Sequence, residues 1–160
     1  MTISVGNRVP STTLHHMTGD GPAKITTDAL FGGKTVALFA LPGAFTPTCS
    51  AKHVPGYVAN ADALKAKGVD TIVCLSVNDA FVMGAWGEDR SVGDKVMMAA
   101  DGSADFTRAV GLELDLSERG FGLRSQRYSM LVRDGVVAAL HVEAPGAFVV
   151  SDAETMLGDL

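Results

Sequence analysis

Along the chain, apolar residues gather in short runs separated by glycine, proline and charged positions. Thr35-Val-Ala-Leu-Phe-Ala-Leu41 is one such run, bounded by Gly33 and Pro42; its length and flanks predict a strand buried on both faces. Residues 48–67 interleave small and apolar side chains with Lys52, Asp62, Lys65 and Lys67, which predicts a helix. Pro55 lies inside it without a backbone N–H and is expected to kink it. Gly68 supplies the stop. Residues 69–77, VDTIVCLSV, predict a second strand. Strand, helix and strand in this order imply a right-handed crossover and a parallel pair. Further on, Asp79 is placed to cap a helix running through Trp86 and Glu88. Residues 95–100 predict another strand and residues 103–110 a short helix. Residues 128–133 and 136–142 flank Asp134-Gly135, a strong hairpin signal, and residues 151–157 read as a closing helix. Parallel strands followed by a hairpin make an α/β sandwich, a mixed sheet with helices on both faces. No repeat, low-complexity tract or linker divides the chain, so residues 1–160 are expected to form one domain.

The 160 residues carry 13 basic and 18 acidic side chains, a net charge of −5, and 47% of them are apolar. That content sustains a core without disulfides or a structural metal and argues against long disordered stretches. A mild negative charge gives no general attraction to nucleic acid or anionic membrane. The densest apolar stretch, residues 36–45, is broken by Pro42 and Gly43 and is too short to span a bilayer. Neither nucleic acid nor membrane is therefore expected as a partner. Residues 1–5, MTISV, show no basic region followed by an apolar block. Two cysteines build neither a disulfide scaffold nor a four-cysteine zinc site, and a cytoplasmic location is the expectation.

One segment stands apart: Pro42-Gly-Ala-Phe-Thr-Pro-Thr-Cys49-Ser50. It lies between the first strand and the long helix, on the carboxyl side of the strand, where open α/β sheets place their sites. Thr46 suits a helix N-cap and Pro47 the first helical position. Cys49 then falls in the first turn, where free N–H groups and the positive end of the helix dipole favour an anion. The thiolate is the nucleophilic form of cysteine, so this placement describes an activated sulfur. His53 follows one turn on, facing the same side, and is expected to add partial positive charge. The plainer reading makes Cys49 a small apolar filler beneath a loop.

Pro42-Gly-Ala-Phe-Thr-Pro-Thr-Cys49 resembles the peroxiredoxin active-site motif. Together with Lys52-His-Val-Pro-Gly-Tyr57 and Cys74-Leu-Ser-Val-Asn-Asp-Ala-Phe81, it is similar to the type-five, or redoxin, subfamily. The likeness continues through Trp86-Gly87, Ala100-Asp-Gly102 and Arg127-Tyr-Ser-Met130. It implies a thioredoxin-like α/β sandwich with a central mixed sheet flanked by helices. The activity it implies is reduction of hydrogen peroxide, alkyl hydroperoxides or peroxynitrite by a thiol. Carried over residue by residue, Cys49 is the peroxidatic cysteine, Thr46 hydrogen-bonds the sulfur and the peroxide, Pro42 shields the pocket from water, and Arg127 lies beside the sulfur. Thr48 joins Pro42 as an expected substrate contact. Phe45 and Phe121 are expected to line an apolar wall, and Arg124 to assist from behind the site or at a dimer face. Attack on an O–O bond moves negative charge from sulfur to the leaving oxygen, and fixed donors along that path stabilise the transition state. No metal or organic cofactor is required.

Cys74 sits mid-strand between Val73 and Leu75, with no cation beside it in sequence, and reads as a buried, inert thiol. Subfamily members that close an internal disulfide carry a resolving cysteine near the C-terminus, whereas residues 145–152, PGAFVVSD, contain none. The resemblance then implies a one-cysteine cycle in which the Cys49 sulfenic acid condenses with an external thiol. Glutathione with glutaredoxin is favoured over thioredoxin by family analogy, and a homodimer is the expected assembly. His15 and His16 are adjacent, so on a strand they face opposite sides and suggest no metal site. Two other classes of function use the same cysteine. A peroxide sensor or chaperone-like binding protein stops after about one turnover per Cys49. A general disulfide oxidoreductase is disfavoured by the lack of a Cys-x-x-Cys pair.

Overall fold

The computed structural model describes residues 1–160. An N-terminal hairpin, β1 (Thr13–Thr18) and β2 (Gly21–Thr26), leads through α1 (Thr27–Phe31) into β3 (Thr35–Ala40). A π-helical turn (Cys49–His53) runs into α2 (Val54–Ala59) and α3 (Ala61–Ala66), followed by β4 (Thr71–Ser76), α4 (Ala80–Asp89) and β5 (Met97–Ala100). After α5 (Asp105–Val110), a small ribbon of β6 (Glu113–Leu116) and β7 (Gly122–Ser125) precedes β8 (Tyr128–Arg133), β9 (Val136–Val142) and α6 (Ala153–Gly158). The main sheet has the order β2-β1-β5-β4-β3-β8-β9. Its centre is parallel, β3 with β4 and β4 with β5, and its flanks are antiparallel. The expected mixed sheet with helices on both faces is what forms.

Alternation along β3 divides the core. Ala37, Phe39 and Leu41 face one layer with Tyr57, Leu64, Met83, Trp86 and Met156. Val36, Leu38 and Ala40 face the other with Phe31, Phe106 and Val110. The first layer, under α2, α3, α4 and α6, also contains both cysteines. The hairpin read from Asp134-Gly135 is present: both residues have positive φ, 48° and 78°, the pair that matches the twist of the flanking strands. A Cβ on Gly135 would also meet Nη1 of Arg8 at 2.7 Å.

Two features depart from the sequence reading. The helix expected over residues 48–67 does not kink simply at Pro55. It widens before the proline, where the Val54 N–H donates to the carbonyl of Cys49, five residues back. It then breaks at Asn60, whose ψ of 6° leaves helical geometry. The wide turn gives the Pro55 ring room it lacks in a regular α-helix. The β1–β2 hairpin has no clear signal in the sequence because it lies at the edge of the sheet: eleven of its twelve strand residues are exposed or partly exposed, so its apolar pattern is weak.

The far face is anchored by Asp101, buried at the end of β5. Its carboxylate accepts from Phe106 N (3.1 Å), Thr107 N (2.8 Å) and Thr107 Oγ1 (2.7 Å), fixing the start of α5. Asp101→Ala leaves those buried donors unpaired and is expected to cost about 3 kcal/mol of stability in urea denaturation. A loss under about 1 kcal/mol would mean that water reaches these donors.

Candidate active site

β3 ends at Ala40, and the chain turns through residues 41–46 before helix begins at Pro47. The β3–β8 register sets Ala40 opposite Tyr128. Arg127, one residue before β8, is therefore delivered to the mouth of this turn. Its Nη2–H donates to Cys49 Sγ at 3.1 Å, and its Nη1–H donates to Nδ1 of His53 at 2.8 Å. The opposite ring nitrogen of His53, Nε2–H, donates to the carbonyl of Ser151 at 3.0 Å. That carbonyl also accepts the Tyr57 hydroxyl at 3.0 Å. One ring nitrogen must accept while the other donates, which defines a neutral imidazole. Burial, and next the charge of Arg127, lower the His53 pKa to about 3. The expectation of positive charge on His53 is thus corrected: the ring is a neutral acceptor that orients the guanidinium. Phe39, stacked on Tyr57 at 4.0 Å and 4.8 Å from His53, packs against it.

Cys49 is fully buried at the head of the π-helical turn. The same turn releases the Ser50 carbonyl from its usual partner, Val54 N–H, and Arg90 Nη1 donates to it at 3.1 Å. Trp86 Nε1–H donates to the Ser50 hydroxyl at 3.0 Å. Trp86 of α4 and Arg90, which caps its C-terminal end, therefore hold the residue next to the sulfur.

Within the turn, the Thr46 carbonyl accepts the first helical bond, from Ser50 N at 2.9 Å. The Thr46 hydroxyl neither caps the helix nor bonds the sulfur; it donates to the Gly43 carbonyl at 2.6 Å. Its hydrogen is committed there, and its lone pairs remain to accept. Ala44 N–H donates to Asn78 Oδ1 at 3.0 Å, tying the turn to the end of β4. Phe45 adopts a φ of 63°, a strained conformation for a non-glycine residue. Arg124 Nη1 donates to the Pro42 carbonyl at 3.3 Å and its Nε to that of Phe121 at 2.9 Å. A Cβ at Gly43 would approach Arg124 Nη1 to 2.7 Å, so this bracing requires glycine. Phe45 and Phe121 are 54% and 48% exposed, so both rings lie at the surface rather than in the core. Thr48 is half-buried in the first turn.

Cys74 is buried in the same layer as Cys49, and burial pushes its thiol pKa well up. Sequence reading saw no cation beside it; the fold brings Arg127 within electrostatic reach, but burial outweighs that charge. Ser151, Phe148 and Glu143 also belong to the site's surroundings and had no local sequence signal.

A buried cysteine gripped by a fixed guanidinium, on a sheet of this topology, is a site arranged around a single sulfur, and its relatives show it to be that of a thiol-dependent peroxidase. The redoxin family matches residues 4–157, and the chain belongs to that family, within its peroxiredoxin branch. It is 52% identical over 160 residues to Peroxiredoxin-2E, chloroplastic, of Arabidopsis thaliana, covering 97% of this chain and 68% of that one. Peroxiredoxin-2B of the same plant is 47% identical over 156 residues, covering 97% and 96%. The crystal structure of reduced Prx3 in complex with hydrogen peroxide from Vibrio vulnificus has a TM-score of 0.95 at 54% identity and covers 98% of each chain.

The state of His53 makes stability depend on pH. Unfolded, its imidazole takes a proton below about 6.5; folded, only near 3. Between these values the unfolded chain binds more protons, so this contribution is intact above the higher value and is lost as pH falls toward the lower one. From pH 7 to pH 5 the protein is expected to lose roughly 2 kcal/mol more than His53→Gln does, by urea denaturation at both values. Equal losses would contradict a neutral buried ring.

Proposed function

We propose that the enzyme reduces hydrogen peroxide and alkyl hydroperoxides in a one-cysteine cycle at Cys49, with an external thiol as reductant and glutathione through glutaredoxin ahead of thioredoxin. The observation that carries this reading is the 3.1 Å approach of Arg127 Nη2 to Cys49 Sγ. The thiolate attacks one peroxide oxygen, and an S–O bond forms as the O–O bond breaks. The electron pair leaves on the second oxygen, which takes up a proton and departs as water or an alcohol. The guanidinium stands where charge crosses from sulfur to oxygen. Thr46 accepts the hydrogen bond of the peroxide hydroxyl, Pro42 and Thr48 line its approach, and Arg124 braces the turn. The exposed rim of Phe45 and Phe121 favours hydroperoxides with an apolar tail. Hydrogen peroxide bound to the V. vulnificus relative supports the smaller substrate.

The product is a Cys49 sulfenic acid. A thiol attacks its sulfur, water leaves, and a mixed disulfide forms; a second thiol then displaces Cys49. Cys74, buried and held protonated, is poorly suited to resolve the intermediate. Because Cys49 is itself covered, the reductant step needs the helix start at residues 48–52 to open locally. Two free cysteines and a need for thiol suit a reducing compartment such as the cytoplasm. Exposed Phe45, Phe81 and Phe121 support a homodimer face beside the site.

Cys49→Ser is expected to abolish peroxide consumption and Cys74→Ser to retain most of it, measured with glutathione–glutaredoxin and thioredoxin systems side by side. Without reductant, one equivalent of peroxide adds one oxygen to the intact mass and excess adds a second at Cys49. Glutathione supplied beforehand diverts the product to a mixed disulfide. Prompt formation of a Cys49–Cys74 disulfide would overturn the one-cysteine cycle, and arrest after about one peroxide per Cys49 in both systems would favour a sensor.

A further inference from the structure

Glu143 follows β9 at the point where Arg127 enters β8. Its backbone N–H donates to the Arg127 carbonyl at 2.9 Å. Its carboxylate, on a residue only 7% exposed, accepts from Val149 N (2.8 Å), Val150 N (2.9 Å), Ser151 N (2.8 Å) and Ser151 Oγ (2.7 Å). No cation pairs with it; N–H and O–H donors alone hold its charge. Charge-assisted bonds of this number and length hold three successive residues rigidly. The loop so closed carries two groups to the site. One is the Ser151 carbonyl that takes the proton side of His53. The other is the Phe148 ring, 4.9 Å from His53 and 5.9 Å from the Arg127 guanidinium carbon.

We infer that Glu143 is a positioning residue for peroxide reduction: by fixing Ser151 it fixes His53 as a neutral acceptor, and through His53 it fixes the Arg127 guanidinium against the sulfur. The inference rests on the reading of Cys49 as the reacting group. A loop staple that served stability alone would not need to end on His53. Here the chain of contacts is continuous, from the Glu143 carboxylate through Ser151 and both ring nitrogens of His53 to Nη1 and Nη2 of Arg127. Loss of the staple frees the Ser151 carbonyl to drift, so the ring loses the partner that fixes its tautomer and orientation, and Nδ1 is no longer presented steadily to Arg127.

The test is the single-turnover rate constant for oxidation of Cys49 by hydrogen peroxide, followed by the fluorescence of Trp86. Trp86 is the only tryptophan in the chain and is bonded to the residue after Cys49. Glu143→Gln is expected to slow the reaction on the order of 10-fold, and Ser151→Ala, which removes one donor, about threefold. In a His53→Leu background, itself slow, neither change should add more than about twofold, because the path is already cut. Nitrogen NMR should find His53 as the single Nε2–H tautomer from about pH 5 to 8 in the native protein and as a mixture of the two neutral tautomers in Glu143→Gln. A folded Glu143→Gln with the native rate, or effects that multiply undiminished in the His53→Leu background, would overturn the inference. If Glu143→Gln does not fold, Ser151→Ala decides: slowing that vanishes in the His53→Leu background supports it, and a native rate sinks it. A native protein that gains no oxygen at Cys49 defeats the peroxidase reading itself, a result distinct from all of these.

Discussion

A guanidinium held 3.1 Å from a fully buried sulfur is the constraint that the rest of the structure serves. A cation drawn into a protein needs acceptors, or its desolvation goes uncompensated. Arg127 has two, the sulfur of Cys49 and Nδ1 of His53. The second exists only while the imidazole is neutral; burial and the charge of Arg127 keep it so, and the Ser151 carbonyl selects the tautomer that leaves Nδ1 free to accept. Strand order does the long-range work: with β8 beside β3, a residue at the start of one strand meets the turn at the end of the other. The same sheet that buries the core therefore assembles the site.

The sulfur is locked in, yet its covering is lightly fastened. The π-helical turn takes the Ser50 carbonyl out of the helix and gives it to Arg90, while Trp86 takes the Ser50 hydroxyl. Hydrogen bonds of this kind contribute on the order of 1 kcal/mol each. The left-handed conformation of Phe45 works against them by a similar amount. Opening at Cys49 works against these bonds, the contact with Arg127 and the burial of the thiol, while the Phe45 strain favours it and the sheet itself keeps its ladder. The proposed cycle, in which a sulfenic acid meets an external thiol, calls for such a segment.

Strands β3, β4, β5, β8 and β9 were legible because each is a short apolar run with a turn signal beside it, and Asp134-Gly135 announced its hairpin by chemistry alone. Cys49 and its helix start were legible for the same reason, since capping residues and a cysteine lie within a few positions. What the sequence hid was everything that depends on distant pairing. His53 and Ser151 stand 98 residues apart, and nothing near His53 tells that its outer nitrogen will be occupied and its charge lost. Spacing on a helix face predicted a cation; tertiary burial removed it. Pro55 was read as a kink because local rules describe the missing N–H, whereas the fold met that defect with a wider turn upstream. Glu143 has no local signal at all, because its partners lie in a loop that folds back over it.

That loop also bears on how the cycle closes. In relatives that form an internal disulfide, the resemblance places a resolving cysteine in this region, and such a cysteine has to travel to the sulfur. In this chain residues 149–151 are stapled to a buried carboxylate and contribute the carbonyl that sets the state of His53. A segment that must stay fixed to keep Arg127 in place is poorly suited to swing inward at every turnover. Withdrawing it would release the donor at the moment when charge must be held. In the proposed one-cysteine cycle, reduction is left to a thiol from solution and that conflict does not arise. Opening can then be confined to the helix start around Cys49, with His53 and the wall around Arg127 left in place.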